Sequence, residues 1–374
     1  MIVGMETHDV YTVLSPESQS SDYKLHLVTL NNHILSAIED GKDKLYLKAS
    51  SSTEGYPVIV TDSRTFKIRQ QNQSNCLMLM NTDKVNGKDA GVSFHDFKSK
   101  LILEDVKPDV DTTGLITIRT IEQLRNTVDH SEDGKGYTLK DLFANSRASK
   151  AEFEDIISRQ QIFEFRGCCY IAGDALVTTC IGKIVEKLIK QVVESGHELD
   201  IMEELNKFKY CEARKCVLGG EILEKHPKEL IELCLRKFFG QDGINDDLIV
   251  RQFGLEVLRK HKTLKLDDFM IELKLRLPFN YTPQIKLNQA LSGCYYTFGD
   301  DKLIAYLDDS MLSEDPVRRF AQLFSLKPQW EVTEIEPFID SINKKGTKPE
   351  KFLLKFCKVK RVGKKHYAMP MRAS

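Results

Sequence analysis

Residues 330–370 read WEVTEIEPFIDSINKKGTKPEKFLLKFCKVKRVGKKHYAMP, and this stretch decides the fold of the C-terminal part of the chain. Thr333 and Glu336 have the spacing of a capping box at the start of a helix. The apolar residues that follow recur at helical spacing and predict one buried face: Ile335, Phe338, Ile339 and Ile342. Lysines followed by Gly346 are typical of a helix C-terminus, so we expect the helix to end there.

A second helix is expected from Pro349, because proline suits a first helical position. Phe352, Phe356 and Val359 form its apolar row, and lysines follow the same spacing on the adjacent face. Residues 360–367 then read as two short strands about Gly363. Helix, turn, helix and hairpin is the order expected of a winged helix-turn-helix.

Positive charge is concentrated at this end of the chain. Residues 344–374 hold eleven Lys and Arg against the single acid Glu350, a balance of +10, whereas residues 1–343 carry −11 from 43 basic and 54 acidic residues. Such segregation is typical of proteins that contact phosphates and release counterions. The alternative is a solvated face or a nuclear import signal.

We predict that the cations of the second helix and the hairpin contact the backbone of DNA with little sequence specificity, because no Asn or Gln accompanies them on the helix to read bases. The predicted DNA-binding residues are Lys351, Lys355, Lys358, Lys360, Arg361, Lys364, Lys365 and Arg372.

The 374 residues allow two or three domains, and 41% hydrophobic with 29% charged residues is ordinary for a soluble protein. We expect no membrane span, since no apolar run approaches about 20 residues. The nine cysteines lack C-x-x-C or zinc spacing, which favours reduced thiols in an intracellular protein.

The N-terminal third has β character. After a polar and flexible stretch, 1–20, short β-like runs separated by polar turns extend to a strand at 115–118, and we interpret residues 81–91 as a loop. The strands indicate an incomplete barrel or sheet. Its open edges would need covering by other chains, although a self-contained small barrel is the alternative.

The remainder shows a loose internal repeat of apolar start, acidic helix entry, second helix and glycine-containing hairpin, which begins near Tyr137, Leu264 and Trp330. We therefore predict an α+β fold: a β-rich partial barrel at 21–135, then tandem winged helices at 136–210, 211–310 and 311–374. The hairpin of the second copy turns through Gly299-Asp300-Asp301, an acidic tip that would repel phosphate. The first two copies are therefore better suited to docking proteins.

Catalytic motifs are missing from the sequence. There is no P-loop of the form G-x-x-x-x-G-K-[ST] and no H-E-x-x-H, and the nine histidines are scattered. We predict no enzymatic activity, no cofactor and no metal site.

Several stretches together resemble the Dcc subunit of the Ctf-type alternative replication factor C clamp loader. The closest lie within 320–365, and the others follow in the same order along nearly the whole chain from Tyr23. The stretches are RFAQLF, QWEVTEIEPFID and KVKRVGKK, with YKLHLVTL, RTFKIRQQNQSNCLMLM, YTLKDLF and FGLEVLRKHKTLKLDDFMIELKLRLP. The first twenty residues and the loops 81–91 and 210–228 are unmatched.

This resemblance implies a nuclear accessory subunit. In that family the β-module is completed by strands from the small Ctf subunit and the large ATPase subunit, and the winged helices bind DNA and dock on DNA polymerase epsilon. The loader places the sliding clamp PCNA on DNA and supports sister chromatid cohesion, with ATP hydrolysed by other subunits.

The sequence is also compatible with two other functions. A winged-helix transcriptional regulator would prefer one duplex sequence. A protein scaffold whose basic end is only an import signal would bind no DNA even at low salt.

Overall fold

A computed structural model describes residues 10–12, 25–41, 43–49, 56–85, 88–130, 136–196, 200–219, 222–300, 302–343, 347–363 and 365–371. The chain divides into two compact units, Met1–Leu115 with Gly136–Ile157, and Ile116–Lys135 with Ser158–Ser374. No helix within the described ranges is both long and apolar enough to cross a bilayer.

The helices are α1 Asn32–Asp40, α2 Ile121–His130, α3 Leu139–Asn145, α4 Lys150–Arg159, α5 Asp174–Glu194, α6 Ile201–Asn206, α7 Tyr210–Leu218, α8 Ile222–Lys225, α9 Lys228–Phe238, α10 Asp246–His261, α11 Leu266–Arg276, α12 Leu287–Ala290, α13 Pro316–Leu326, α14 Val332–Ile335 and α15 Pro349–Leu353. The strands are β1 Val10–Thr12, β2 Val28–Thr29, β3 Tyr46–Lys48, β4 Val58–Val60, β5 Thr65–Val85, β6 Lys88–Asp105, β7 Ile116–Ile118, β8 Ile162–Phe165, β9 Cys168–Ala172, β10 Thr263–Lys265, β11 Tyr295–Phe298, β12 Leu303–Tyr306, β13 Trp330–Glu331, β14 Cys357–Val362 and β15 Lys365–Pro370.

The N-terminal unit is built on a six-stranded sheet that curls into a half-barrel, as predicted. The strand order is β1-β6-β5-β4-β3, and β2 also pairs with β6. Its small core contains Val58, Val60 and Phe66, packed beside Ile34 of α1. The predicted flexible stretch 1–20 lies outside the described residues except for β1.

The predicted loop at 81–91 is wrong. β5 and β6 form one long antiparallel hairpin whose pairing continues to Val85 opposite Lys88. Only Asn86 and Gly87 separate these two residues in sequence, and Asn-Gly is the dipeptide most typical of a two-residue hairpin turn. The polar residues on either side of it suggested a loop, but backbone pairing places them in the two strands.

The second unit is organised around α5, one face of which is buried along the length of the helix. Its apolar residues from Leu176 to Val192 pack with α9 and α10 in one core. That core extends from Ile118 to Ile304, while a second cluster runs from Leu307 to Ala368. Asp315 precedes the Pro316 start of α13 and accepts a hydrogen bond from the Arg318 N–H at 2.9 Å, which caps this helix.

Three small sheets follow one another along this unit, with strand orders β7-β9-β8, β10-β12-β11 and β13-β15-β14. In the second and third, the first strand pairs antiparallel with the last, and each set has the order helix, strand, helices and hairpin. The first sheet differs because β7 runs parallel to β9. The predicted α+β fold class is confirmed, and the boundaries of the five predicted segments stay predictions.

Candidate nucleic-acid interface

The C-terminal module, residues 307–371, begins with a helical segment that differs from the predicted one. α14 ends at Ile335 and continues as 3-10 turns at Glu336–Phe338 and Asp340–Ile342, because Pro337 lacks the N–H of a regular helix. The predicted capping box at Thr333 is wrong, since α14 starts after Glu331 without a side-chain cap. The predicted buried face is correct for Ile335, Phe338 and Ile339.

The second helix is shorter than predicted. α15 ends at Leu353, and β14 begins at Cys357, so Lys358 lies on a strand and not on the helix. The prediction of one helical row of lysines at 351, 355 and 358 is therefore wrong. The alternating sequence Cys357-Lys358-Val359-Lys360 satisfies strand period as well as helix period, and pairing with β15 decides in favour of the strand.

Strand register sorts the cations onto two faces of the C-terminal sheet, which consists of β13, β14 and β15. Val359 lies opposite Ala368, which lies opposite Trp330, and this row packs into the core. The next row contains Lys360, Tyr367 and Glu331, so these side chains point away from the core. We call this side the outer face, and by the same alternation it also carries Lys358, Val362, Lys365 and Met369.

The structure shows where most of the predicted DNA-binding residues lie. The side chains of Lys351, Lys355, Lys358, Lys360, Arg361 and Lys365 are all exposed. Lys358, Lys360 and Lys365 share the outer face, while Arg361 points to the opposite side, where it lies across from His366. Lys364 and Arg372 lie outside the described residues.

Two acids pair with basic residues of the C-terminal sheet, one on each of its faces. The Nζ of Lys365 is 2.7 Å from Oε2 of Glu331, and Nδ1 of His366 is 2.6 Å from Oε1 of Glu350. The guanidinium Nε of Arg361 donates to the Gly363 carbonyl at 3.1 Å, within the hairpin turn. Gly363 has φ of +62°, a conformation that favours glycine.

A buried arginine holds the module together behind this sheet. Arg319 is 2% exposed, and its Nε donates to the Ser313 carbonyl at 2.6 Å. Its Nη1 donates to the Phe338 carbonyl at 2.7 Å and to the carboxylate of Asp309 at 2.5 Å. The guanidinium thus holds the segment before α13 against the turn that follows α14.

A polar cleft of about 330 Å³ separates the outer face from the second sheet. Its lining includes Tyr295 and Thr297 from β11, together with Lys365 and Tyr367 from β15. Inside it, Lys327 pairs with Glu334 at 2.7 Å, and Glu334 also accepts from the Thr297 N–H at 3.3 Å. This carboxylate therefore joins the second sheet to the C-terminal module.

The hairpin of the second sheet has the predicted acidic turn, with Gly299 at φ +59° and Asp300 at φ +56°.

Burial raises the pKa of the Cys357 thiol in the C-terminal module to about 11, so this cysteine stays protonated at neutral pH. Among the described residues, no group of three or more His, Cys, Asp or Glu could hold a metal ion.

Sequence reasoning missed Tyr367 and Glu331 as members of this surface. Both follow from the strand register, which places them beside Lys360. The signal was present in the alternation of residues 357–362, but a helical reading of the lysines concealed it.

The N-terminal half-barrel presents a second candidate surface, which is apolar. Four consecutive residues of β5, Leu77, Met78, Leu79 and Met80, are each 40–48% exposed. Edge strand β3 adds Tyr46 and Leu47, the latter 72% exposed. Alternate residues of a strand face opposite sides, so both sides of the β5–β6 ribbon expose apolar groups here.

A family model described as sister chromatid cohesion protein Dcc1 matches residues 25–339 of the chain. The match includes the half-barrel and the first part of the C-terminal module, and it stops before α15 and β14.

Similar proteins extend over most of the chain. A sister chromatid cohesion protein DCC1 of Saccharomyces cerevisiae is 24% identical over 385 residues, covering 94% of this chain and 97% of the relative. A probable sister chromatid cohesion protein DCC1 of Dictyostelium discoideum is 22% identical, covering 92% and 93%. One from Xenopus laevis is 21% identical, covering 88% and 84%.

Proposed function

The chain belongs to the family of sister chromatid cohesion protein Dcc1, and from this premise we propose that it is a non-catalytic accessory subunit of an alternative clamp loader in the nucleus. In this role it helps to place the sliding clamp PCNA on replicating DNA. Its C-terminal module contacts the nucleic-acid backbone, and its N-terminal half-barrel joins the other subunits of the loader. The proposed partners are the large ATPase subunit, the small Ctf subunit and DNA polymerase epsilon.

The observation that supports nucleic-acid contact is the outer face of the C-terminal sheet. Lys358, Lys360 and Lys365 project from adjacent strands on one side, and exposed Lys351 of α15 and Lys355 of the turn after it precede them in the chain. Each cation that meets a phosphate releases counterions, which favours binding at low salt. This surface supports the proposal independently of the family match, which stops at residue 339.

The composition of this face favours backbone contact over base reading. Its described side chains are lysines with Tyr367, Val362, Met369 and Glu331, and none is an amide or an arginine suited to bidentate contact with base edges. α15 has only five residues, about 7.5 Å of helix, which is short for a recognition helix in the major groove. We therefore expect similar affinity for unrelated sequences.

Charge reversal on the outer face tests this part of the proposal. The double variant Lys358→Glu/Lys360→Glu in the full chain should bind a duplex oligonucleotide at least about tenfold more weakly at low salt, measured by fluorescence anisotropy. The matched control reverses two exposed lysines of other helices, Lys190→Glu and Lys274→Glu, with the same change in net charge.

Equal losses in the two double variants would show that net charge and not the outer face governs binding. If the unmodified chain binds no DNA at low salt, it is a scaffold and not a DNA contact. A strong preference for one sequence in a selection from random duplexes would favour a transcriptional regulator.

Assembly through the half-barrel is supported by its exposed apolar residues. A strand with an open edge and apolar side chains on both faces is a site for pairing with another chain. Leu77 and Leu79 lie on one side of the ribbon and Met78 and Met80 on the other, so a partner that covers both sides would complete the barrel.

The double variant Leu77→Asp/Leu79→Asp tests the assembly role. When the tagged chain is purified from nuclei, this variant should lose the copurifying loader subunits but keep binding to DNA. As a control, Leu275→Asp changes an exposed leucine of α11 outside the half-barrel. Unchanged copurification in the Leu77/Leu79 variant would contradict this interface.

A further inference from the structure

We propose that Glu331 occupies the place of a ligand phosphate on Lys365 and so limits the affinity of the outer face for nucleic acid. The inference rests on the proposed function, since it concerns how the same surface is regulated. Glu331 and a phosphate of the ligand would compete for Lys365, because both are anions that the ammonium can contact.

The strand register fixes Glu331 within the cationic face. Its backbone pairs with Tyr367, which pairs in turn with Lys360, so the three side chains stand in one row. Lys365 lies two residues before Tyr367 on β15, and its ammonium is 2.7 Å from the Glu331 carboxylate. A phosphate that approaches Lys365 on the outer face must therefore compete with this carboxylate for the ammonium.

The partial burial of Glu331 strengthens its effect. Its side chain is 28% exposed, against 60% for Lys365, so the carboxylate is fixed by the sheet while the ammonium can turn towards solvent. A phosphate that approaches the outer face meets a partly shielded negative charge as well as the lysines, and like charges at close range repel.

The other ion pair of the cleft has a different role. Lys327 and Glu334 are each at most 20% exposed, and Glu334 also accepts from Thr297 of the second sheet. That pair joins the second sheet to the C-terminal module, and changing it would disturb their junction. Glu331 can be neutralised without breaking that link.

The test compares nucleic-acid binding of the full chain with the variant Glu331→Gln, which keeps the size of the side chain and removes its charge. Because the Glu331 carboxylate no longer competes with a phosphate for Lys365, the variant should bind a mixed-sequence duplex roughly three- to tenfold more tightly, and the slope of log K against log salt should steepen by up to about 0.9.

A double-mutant cycle separates the Glu331–Lys365 contact from general charge. In the Lys365→Met background, Glu331→Gln should give less than half of its gain, because the lysine that it releases is absent. Asp340→Asn removes the same charge from an exposed turn of the same module and should raise affinity less than Glu331→Gln does. Thermal denaturation of each variant identifies any loss of folding.

The outcomes distinguish this inference from the function on which it rests. If the unmodified chain binds DNA and Lys358→Glu/Lys360→Glu weakens binding, but Glu331→Gln has no effect or the same effect in the Lys365→Met background, then only the role of Glu331 is refuted. If the unmodified chain binds no nucleic acid at low salt, both proposals are refuted.

Discussion

Arg319 shows how one residue can hold the C-terminal module together. Its guanidinium is buried and contacts four backbone carbonyls, a hydroxyl and the Asp309 carboxylate. A planar fork can satisfy acceptors on several sides at once, whereas an ammonium cannot. Removing it would leave the carbonyls of Ser313 and Phe338 without their buried donor.

We predict that Arg319→Leu destabilises the C-terminal module by about 2–4 kcal/mol and that Arg319→Lys recovers less than half of this loss. Hydrogen exchange followed by mass spectrometry should show faster amide exchange within residues 307–371, while the amides of α5 keep their slow exchange. A lysine variant as stable as the parent chain would show that charge alone suffices at this position.

Lys237 is a half-buried lysine whose identified hydrogen-bond acceptors are neutral. Its ammonium donates to the side-chain oxygens of Gln161 at 3.2 Å and Gln252 at 3.1 Å. The pKa of Lys237 is lowered from 10.5 to about 8, mainly by burial; the nearby Cys234 opposes this shift and Arg251 adds to it. The charged form is therefore less stable in the folded protein than in the unfolded chain.

The expected pH dependence follows from this lowered pKa. Below about pH 8 the lysine is charged in both states and its full destabilising effect is present, whereas between pH 8 and 10.5 the unfolded chain binds more protons and folded stability rises with pH.

Lys237→Met should stabilise the protein by about 1–2 kcal/mol at pH 7, because relief of burial exceeds the two lost hydrogen bonds, and its advantage should shrink above pH 8. Urea denaturation at several pH values measures this difference. Lys190→Met, at an exposed lysine of α5, is the control. An advantage that does not change with pH would contradict the account.

At the scale of elements, Lys48 of β3 holds the turn between α3 and α4, and both belong to the N-terminal unit. Its ammonium donates to the Phe143 carbonyl at 2.8 Å and the Ala148 carbonyl at 3.1 Å, and it lies 3.8 Å from the centre of the Phe143 ring. Carbonyls at the end of α3 thus gain a cationic donor, which stabilises a helix C-terminus.

Lys48→Met should therefore loosen this turn. We expect hydrogen exchange in residues 142–149 to accelerate about five- to tenfold, a modest effect because the lysine is partly exposed. Lys150→Met, at the exposed first residue of α4, should leave the rate nearly unchanged. Equal rates in the two variants would show that the lysine does not hold the turn.

The elements that the sequence predicts well are those with a strong period. α5 and α10 keep helical spacing over several turns, and local spacing alone locates them. β14 and the β5–β6 hairpin were misread because their lysines and polar residues also fit a helix or a loop. Pairing with the neighbouring strand of a hairpin decides their structure, and a pattern that fits two periods cannot by itself choose between them.

For the whole molecule, the segregation of charge was visible in the sequence, but the arrangement of the cations was not. Counting residues locates the excess of lysine after residue 343. Only the register of three strands shows that Lys358, Lys360 and Lys365 share one face with Glu331, and that Arg361 lies on the other. Which cations act together is therefore a property of the fold.

The salt dependence of DNA binding by the full chain tests the central claim most directly. If about five of the exposed cations meet phosphates, a plot of log K against log salt, taken from about 50 to about 300 mM, should be linear with a slope of about −4 to −5. Duplexes of unrelated sequence should give the same slope. A slope between about 0 and −1 would contradict the account, because the C-terminal module would then contact at most one phosphate.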